Sequence, residues 1–494
     1  MGALDEGRFT GEFENEMKLG FGCGFCGLLE VEVEDSETSV IEGAVKVLLQ
    51  GLGEDFNRDG LKKTPLRVAK ALIDGTRGYR QQVNDIVQGA LFPEAGVGSG
   101  IGHAGGVGGL VVVRGIDLFS YCESCLLPFK VQCHVGYIPS KQQVVGLSKL
   151  SRVADVFAKR LQNPQRLADE VCSALYESIR PSGVAVALQC WHIQFPSDLE
   201  TSDSNHIAQD MDGWASTSVF SGLGLFKDKA CDVWSDFLAL VKFKGAIALD
   251  RKRASSWCPS QAVVMPECNG HGLTSLPNPI TESNLRILAK LGATHSTMIA
   301  AVTLILRALG EDPLRKELVN TPRHFVKWLM KFKRSTLEMK GNGFHYGSEV
   351  PNPNCIIKES GESERVRMRS ELNLPFWSQC EHHLLPFHGV VHVSYYMVEE
   401  AEALDRSSLQ TIVHFHACKL QVQERLTKQI AESVNTVSGG GGVMVVVEAS
   451  HICMISRGIE KIGSSTATIA VLGQFASNPL AKAMFLQMIS IRTS

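Results

Sequence analysis

No stretch of the 494 residues is apolar for the roughly 18 positions that a membrane-crossing helix requires, so no membrane partner is expected. The strongest apolar run, Met298 to Leu306, is too short for that and reads as a buried helix. Charge of one sign is also missing. Forty-nine Lys and Arg stand against 52 Asp and Glu, which removes the electrostatic case for a nucleic-acid partner. Basic residues are scarce at the start, with two among the first 40 positions against ten acidic ones. Organellar transit peptides have the opposite balance. No secretory signal is recognisable, so the 14 cysteines are expected as free thiols in a reducing compartment, the cytoplasm. Gly96, Gly98, Gly100 and Gly102 lack a preceding strand and a following helix, and so read as a loop rather than a dinucleotide site. Cys23-x-x-Cys26 has no βαβ context and reads as a terminal thiol pair.

What is present is concentrated near the C-terminus. Cys380-Glu381-His382-His383 places a cysteine and a histidine at zinc-ligand spacing, and Cys453 offers a third soft ligand. Three protein ligands leave the fourth tetrahedral position open for water, the catalytic pattern. His382 and His451 are then free for proton transfer. The β-branched run Val443 to Val447 continues through Ile455 as an expected strand. On a strand, His451 and Cys453 would face the same side.

Cys380-Glu381-His382-His383-Leu384-Leu385-Pro386-Phe387, then Gln421-Val422-Gln423-Glu424-Arg425-Leu426, then His451-x-Cys453 with Arg457 and Gly463-Ser464-Ser465-Thr466, resemble the GTP cyclohydrolase I family. Leu52-Gly53-Glu54-Asp55 recurs as Leu309-Gly310-Glu311-Asp312, and Arg58, Leu61, Thr64 and Pro65 recur as Arg315, Leu318, Thr321 and Pro322. Cys122-Glu123 with Leu126-Leu127-Pro128-Phe129 answers Cys380-Glu381 with Leu384-Leu385-Pro386-Phe387, and His192 answers His451. The chain is therefore a tandem repeat. An acidic segment (1–39) precedes a first cyclohydrolase-like copy (40–230). A Pro/Gly-containing linker (231–289) then leads to a second copy (290–494). Cys258, Cys268 and His271 in the linker have no metal-site spacing and read as incidental.

Each copy departs from the family pattern differently. The first carries Ser124 for His382, Cys125 for His383, Gln194 for Cys453 and Asp198 for Arg457. A third ligand is missing there, so one zinc per chain is expected, in the second copy. The first copy reads Asn163-Pro164-Gln165-Arg166, a helix N-cap and N1, where the second has the Glu424 motif. In the resemblance that glutamate reads the guanine edge. The first copy alone keeps Leu147-Ser148-Lys149-Leu150-Ser151-Arg152, which resembles a triphosphate clamp. The second has Ser407, Ser408 and Thr411 there, with Arg406 as a stand-in for the lysine. Arg67 of the first copy becomes His324 in the second.

The resemblance implies an α+β chain of two tunnelling-fold domains, each a four-stranded antiparallel sheet with helices on one face, joining into a barrel in a homo-oligomer. It implies Zn²⁺ on Cys380, His383 and Cys453, and hydrolysis of GTP by an activated water. His451 and His382 would carry protons, Gln423 and Glu424 hold the base, and Ser148, Lys149, Arg152, Arg67, Arg457 and Ser407 hold the triphosphate, at domain or subunit interfaces. The rivals are a non-catalytic regulatory protein descended from a tandem cyclohydrolase, and another pterin or deazapurine enzyme of this fold.

Overall fold

In a computed structural model of the chain, the described residues are 26–93, 109–140, 143–193, 214–228, 231–241, 258, 295–338, 367–397, 403–456 and 464–493. The glycine loop around Gly96–Gly102, the side chains of Cys23 and Cys26, Gln194, Asp198, Cys268, His271 and Arg457 lie outside them.

The repeat is visible as two five-stranded sheets of identical topology. With strands numbered in chain order, the first sheet uses β2 (Val111–Cys122), β3 (Pro128–Ile138), β5 (Leu161–Gln162), β6 (Gly183–Ile193) and β7 (Trp214–Gly224), in the order β5-β2-β3-β6-β7. The second uses β8 (Arg367–Cys380), β9 (Pro386–Met397), β10 (Leu420–Gln421), β11 (Gly442–His451) and β12 (Thr466–Gly473), in the order β10-β8-β9-β11-β12. A short pair, β1 (Leu91–Pro93) with β4 (Gln143–Val145), stands apart. The four long strands of each sheet are antiparallel, as expected. The fifth, a two-residue strand that pairs in parallel with the end of β2 or β8, was not foreseen. It is too short to carry a period-two signal, yet it seats the metal loop: Glu381 N–H donates to Gln421 O at 3.1 Å, and Glu123 N–H to Gln162 O at 3.0 Å.

Both first strands bulge at the same place. The register slips between Val113 and Ile116 and between Glu371 and Leu374, where Gly115 (φ 71°) and Asn373 (φ 57°) take left-handed backbone. Each freed amide donates to a histidine Nδ1 on the neighbouring strand, Gly115 to His134 and Asn373 to His392. Arg406 was expected to replace the clamp lysine. Instead its guanidinium donates to Leu372 O and Asn373 O and pairs with Glu371 at this bulge.

Helices Leu147–Ala158 and Pro164–Ile179 cover one face of the first sheet, and Arg406–Ala417 and Gln423–Val437 the matching face of the second. Leu426, Ile430 and Val434 are the buried stripe, while Val437, one step further, is exposed. The opposite faces are also covered, beyond the single helical layer expected. Asp232–Val241, assigned to the linker by its position, packs Trp234, Phe237 and Val241 against Ile138, Ala185 and Ala187. Pro479–Thr493 covers the second sheet through Phe485 and Ile489.

The two copies share one apolar core. Helix Cys26–Leu52 packs along His295–Ala308 so closely that a Cβ on Gly51 would sit 2.4 Å from Met298 Sδ. Each copy also lends a segment to the other's metal loop. Thr64 Oγ1 donates to Glu381 O at 2.7 Å, and Arg58 Nη1 to Glu381 Oε2 at 3.0 Å. Reciprocally, Thr321 Oγ1 donates to Glu123 O, and Arg315 Nη2 to Glu123 Oε2 at 3.4 Å. Arg425 and Arg166 supply a second guanidinium to each carboxylate from within its own copy. Burial alone would raise the Glu381 carboxyl, but Arg425 and Arg58 outweigh it and hold the group below its usual range.

Glu381→Gln should lower unfolding stability by about 1–3 kcal/mol, less where solvent reaches the half-exposed arginines. The carboxylate's contribution should be complete above about pH 4.3 and disappear as pH falls through its lower folded value. Urea unfolding of wild type and variant from pH 7 downward should therefore show the difference shrinking with acid. A difference independent of pH would detach the effect from the charge.

Candidate metal centre

The metal loop is built the same way in both copies. In the second, Cys380 ends β8, its N–H donates to Leu385 O, and the N–H of Leu384 returns to Cys380 O, both at 2.9 Å. Leu384 takes φ 54°, and its counterpart Leu126 φ 58°, which closes the turn. The closure brings residue i+3 over the cysteine, with Cys380 Sγ 3.7 Å from His383 Nδ1.

Cys453 joins them, but not as expected. The strand β11 stops at His451, and Ile452–Ile455 form a helical turn. Cys453 therefore reaches the loop by a change of chain direction rather than by strand alternation. The donor atoms of Cys380, His383 and Cys453 all lie within 4.8 Å of one another. The set fits zinc. Two sulfurs and one imidazole are ligands of the right softness, and a tetrahedral zinc separates sulfur from nitrogen by about 3.6 Å given its bond lengths. Cys453 beside it lowers the Cys380 thiol well below its ordinary range against the effect of burial, and His382, His383 and His451 add to this. The thiolate is the form that binds metal.

The proton-transfer candidates surround this cluster. His382 is half-buried, and its pKa is raised, chiefly by Cys380. His451 stacks on Phe387 with ring centroids 4.4 Å apart. Its Nε2 is 2.7 Å from Gln423 Oε1. Gln423 Nε2 donates to Val447 O and Thr466 O, so its oxygen must be the acceptor and His451 carries its proton on Nε2. Gln423 is buried with both ends used, which makes it a holder of His451 rather than a group facing substrate.

Glu424, the next residue, is exposed, and among the described residues no side chain pairs with it. Lys428, a candidate i+4 partner, instead lies 3.7 Å from Glu432. Arg67 comes from the other copy. The segment carrying Thr64 docks on the Glu381 loop, and the Arg67 charge lies close enough to His382 to oppose protonation of that ring. Its counterpart His324 stands at Ser124, the counterpart of His382, with Nδ1 3.1 Å from Ser124 O. Ser148 and Arg152 are exposed on helix Leu147–Ala158, with Lys149 half-buried between them. Ser407 is exposed on Arg406–Ala417. Among the described residues none of these four hydrogen-bonds to the Cys380 loop.

The GTP cyclohydrolase I family model matches residues 41–215 and again 298–490. The chain belongs to the GTP cyclohydrolase I family. It is 55% identical to GTP cyclohydrolase 1 of Solanum lycopersicum over 99% of this chain and 98% of that one. Against GTP cyclohydrolase 1 of Arabidopsis thaliana it is 52% identical over 99% and 97%. The Gloeobacter violaceus cyclohydrolase, 41% identical, has 83% of its length matched by 41% of this chain. These matches agree with two copies of the cyclohydrolase fold in tandem, and with the α+β architecture read from the sequence. No helix among the described residues is long and apolar enough to cross a membrane.

The sequence reading passed over Glu381, Arg58, Arg425 and Thr64 as a structural clasp. The signal was available, because all four recur, as Glu123, Arg315, Arg166 and Thr321. It also took the first copy to lack a third ligand. The structure instead gathers Cys122, Cys125, His192 and Cys258.

Cys453→Ala should abolish zinc binding at the Cys380 loop, whereas His451→Ala should leave that zinc in place, because His451 is held by Gln423 and not needed as a ligand. Zinc content per purified chain decides this. Loss of the same zinc in His451→Ala would make that ring a ligand.

Proposed function

We propose that this chain hydrolyses GTP at the Cys380 centre, opening the guanine imidazole ring at C8 and giving formate and 7,8-dihydroneopterin triphosphate. The observation that carries the reading is the convergence, at one loop, of a three-ligand soft metal set, two histidines and an arginine from the other copy. It occurs in a chain more than half identical to two curated cyclohydrolases over nearly their full lengths. Zinc held by Cys380, His383 and Cys453 would supply Lewis-acid activation of a water in the open fourth position.

The chain's own side chains do the rest. His451, held at Nε2 by Gln423 and stacked on Phe387, delivers a proton from Nδ1 to the imidazole nitrogen of guanine, the ring carrying protons on both nitrogens before the transfer and keeping Nε2–H after it. His382 serves the later proton transfers. The free Glu424 carboxylate accepts the guanine N1–H and 2-amino hydrogens, a pattern only a carboxylate matches at both oxygens. Arg67 attracts the triphosphate, joined by Arg457. Ser148, Lys149, Arg152 and Ser407 complete the phosphate site between chains of a homo-oligomer. Two features support such an assembly: each sheet ends in a long strand, β7 or β12, with a single neighbour among the described residues, and Ile469 on β12 is half exposed. That the described cysteines form no disulfide supports a cytoplasmic setting.

The test is to incubate the purified chain with GTP and measure formate together with a fluorescent oxidised neopterin. His451→Ala should lower turnover by ~10²-fold or more. Arg67→Ala should raise the KM for GTP by about 10-fold or more, as loss of a charge-assisted bond requires, with zinc content unchanged. Mixed oligomers of Lys149→Ala and His451→Ala chains should regain activity if phosphate groups cross between chains. Absence of formate from a zinc-loaded wild type would favour the non-catalytic alternative.

A further inference from the structure

The first copy's metal loop keeps the fold of the second but not its ligands. Cys122 and Cys125 occupy the loop positions of Cys380 and His383. His192 is next to last in its strand, and His451 is the last residue of the matching one. The Nε2 of His192 lies 3.3 Å from Cys125 Sγ. The fourth member is Cys258, the one described residue between 242 and 294. Its sulfur lies 3.7 Å from Cys122 Sγ, across 136 positions of sequence. All four ligand atoms lie within 4.8 Å of one another, and all four residues are buried.

We infer that Cys122, Cys125, His192 and Cys258 form a second, closed zinc site, structural rather than catalytic. Three cysteines and one histidine are a recurrent structural zinc set, and four protein ligands leave no position for water. Sulfur-to-sulfur edges of about 3.8 Å and sulfur-to-nitrogen edges of about 3.6 Å follow from tetrahedral zinc bond lengths. The observed 3.7 and 3.3 Å are already close to these. The second ring nitrogen of His192 is also placed as a ligand histidine requires: Nδ1 is 2.7 Å from Ile193 O, so it carries the proton and presents a lone pair on Nε2. His192 further stacks on Phe129, as His451 stacks on Phe387. Without metal, the cluster would bury three sulfurs and a ring nitrogen against one another with no counter-charge when ionised. With it, the site staples the linker to the first copy.

The same ligands explain why this copy cannot share the second copy's chemistry. The histidine that would move a proton is bound, and the place for water is filled by Cys258. The expected stoichiometry becomes two zincs per chain rather than one.

The experiment is zinc content per full-length chain, with X-ray absorption at the zinc edge. Wild type should hold two zincs surrounded by five sulfurs in total, Cys258→Ser one, Cys453→Ala one, and the double variant none. Because Cys258→Ser risks misfolding, the absorption spectrum of unmodified protein is the second arm: five sulfurs over two zincs, against two over one if the Cys380 centre alone is filled. A wild type with a single zinc, lost in Cys453→Ala and kept in Cys258→Ser, would overturn the inference. So would a Cys122–Cys258 disulfide found by mass spectrometry in the freshly purified chain. A single zinc lost in Cys258→Ser and kept in Cys453→Ala would uphold this site and remove the zinc reading of the Cys380 centre instead.

Discussion

A buried carboxylate with two guanidiniums, made twice, holds this molecule's working parts in place. Glu381 is almost wholly inaccessible, and it receives Arg425 from its own copy and Arg58 from the other. Glu123 repeats the arrangement with Arg166 and Arg315. A lone carboxylate at such a position would be costly; full pairing is what makes it tolerable, and removal of one partner is penalised. Each carboxylate, at position 381 or 123, directly follows a candidate ligand cysteine. The metal loops are therefore seated by the partner copy as much as by their own strands. Even Gly60 follows from this, since a Cβ there would meet Glu381 Oε1 at 2.5 Å.

The repeat, the ligand triad and the helix start at Asn163-Pro164 were legible because each depends on short-range pattern. Asn163 Oδ1 accepts the Arg166 N–H at 2.9 Å, an ordinary N-cap. What was illegible depends on distance. Cys453 was expected on a strand, because Ile452 and Ile455 prolong a β-branched run; the turn that actually carries it comes from the loop it must reach, a tertiary demand that overrides propensity. Cys258 has no neighbouring cysteine at ligand spacing, so nothing local marks it, and its three partners lie more than 60 residues upstream. Gln423 belongs to the same group: the motif gives its presence, but only the fold shows its amide bonded to Val447, Thr466 and His451.

The two centres began from one geometry and differ by a small chemical step. The loop, its left-handed leucine and a histidine at the end region of the matching strand are common to both. In the second copy a glutamine holds the histidine at Nε2 while the ring also lies within hydrogen-bonding reach of Cys380. In the first that glutamine position is Pro164, which starts the helix and has no side-chain amide to offer. There His192 Nδ1 lies 2.7 Å from Ile193 O and Nε2 3.3 Å from Cys125 Sγ.

The crossed docking also explains a distribution of residues that looks like random decay when each copy is considered alone. Arg67 belongs to the first copy but faces His382 in the second. His324, its replaced counterpart, belongs to the second copy but faces Ser124 in the first. On the reading proposed above, the arginine faces the open three-ligand centre and its histidine counterpart the closed one. The same logic bears on Lys149 and Arg152, which have given way to Ser408 and Thr411 in the second copy. Cations retained on the first copy, with no bond to the Cys380 loop of their own chain, are understandable if the loop they face belongs to a neighbouring chain.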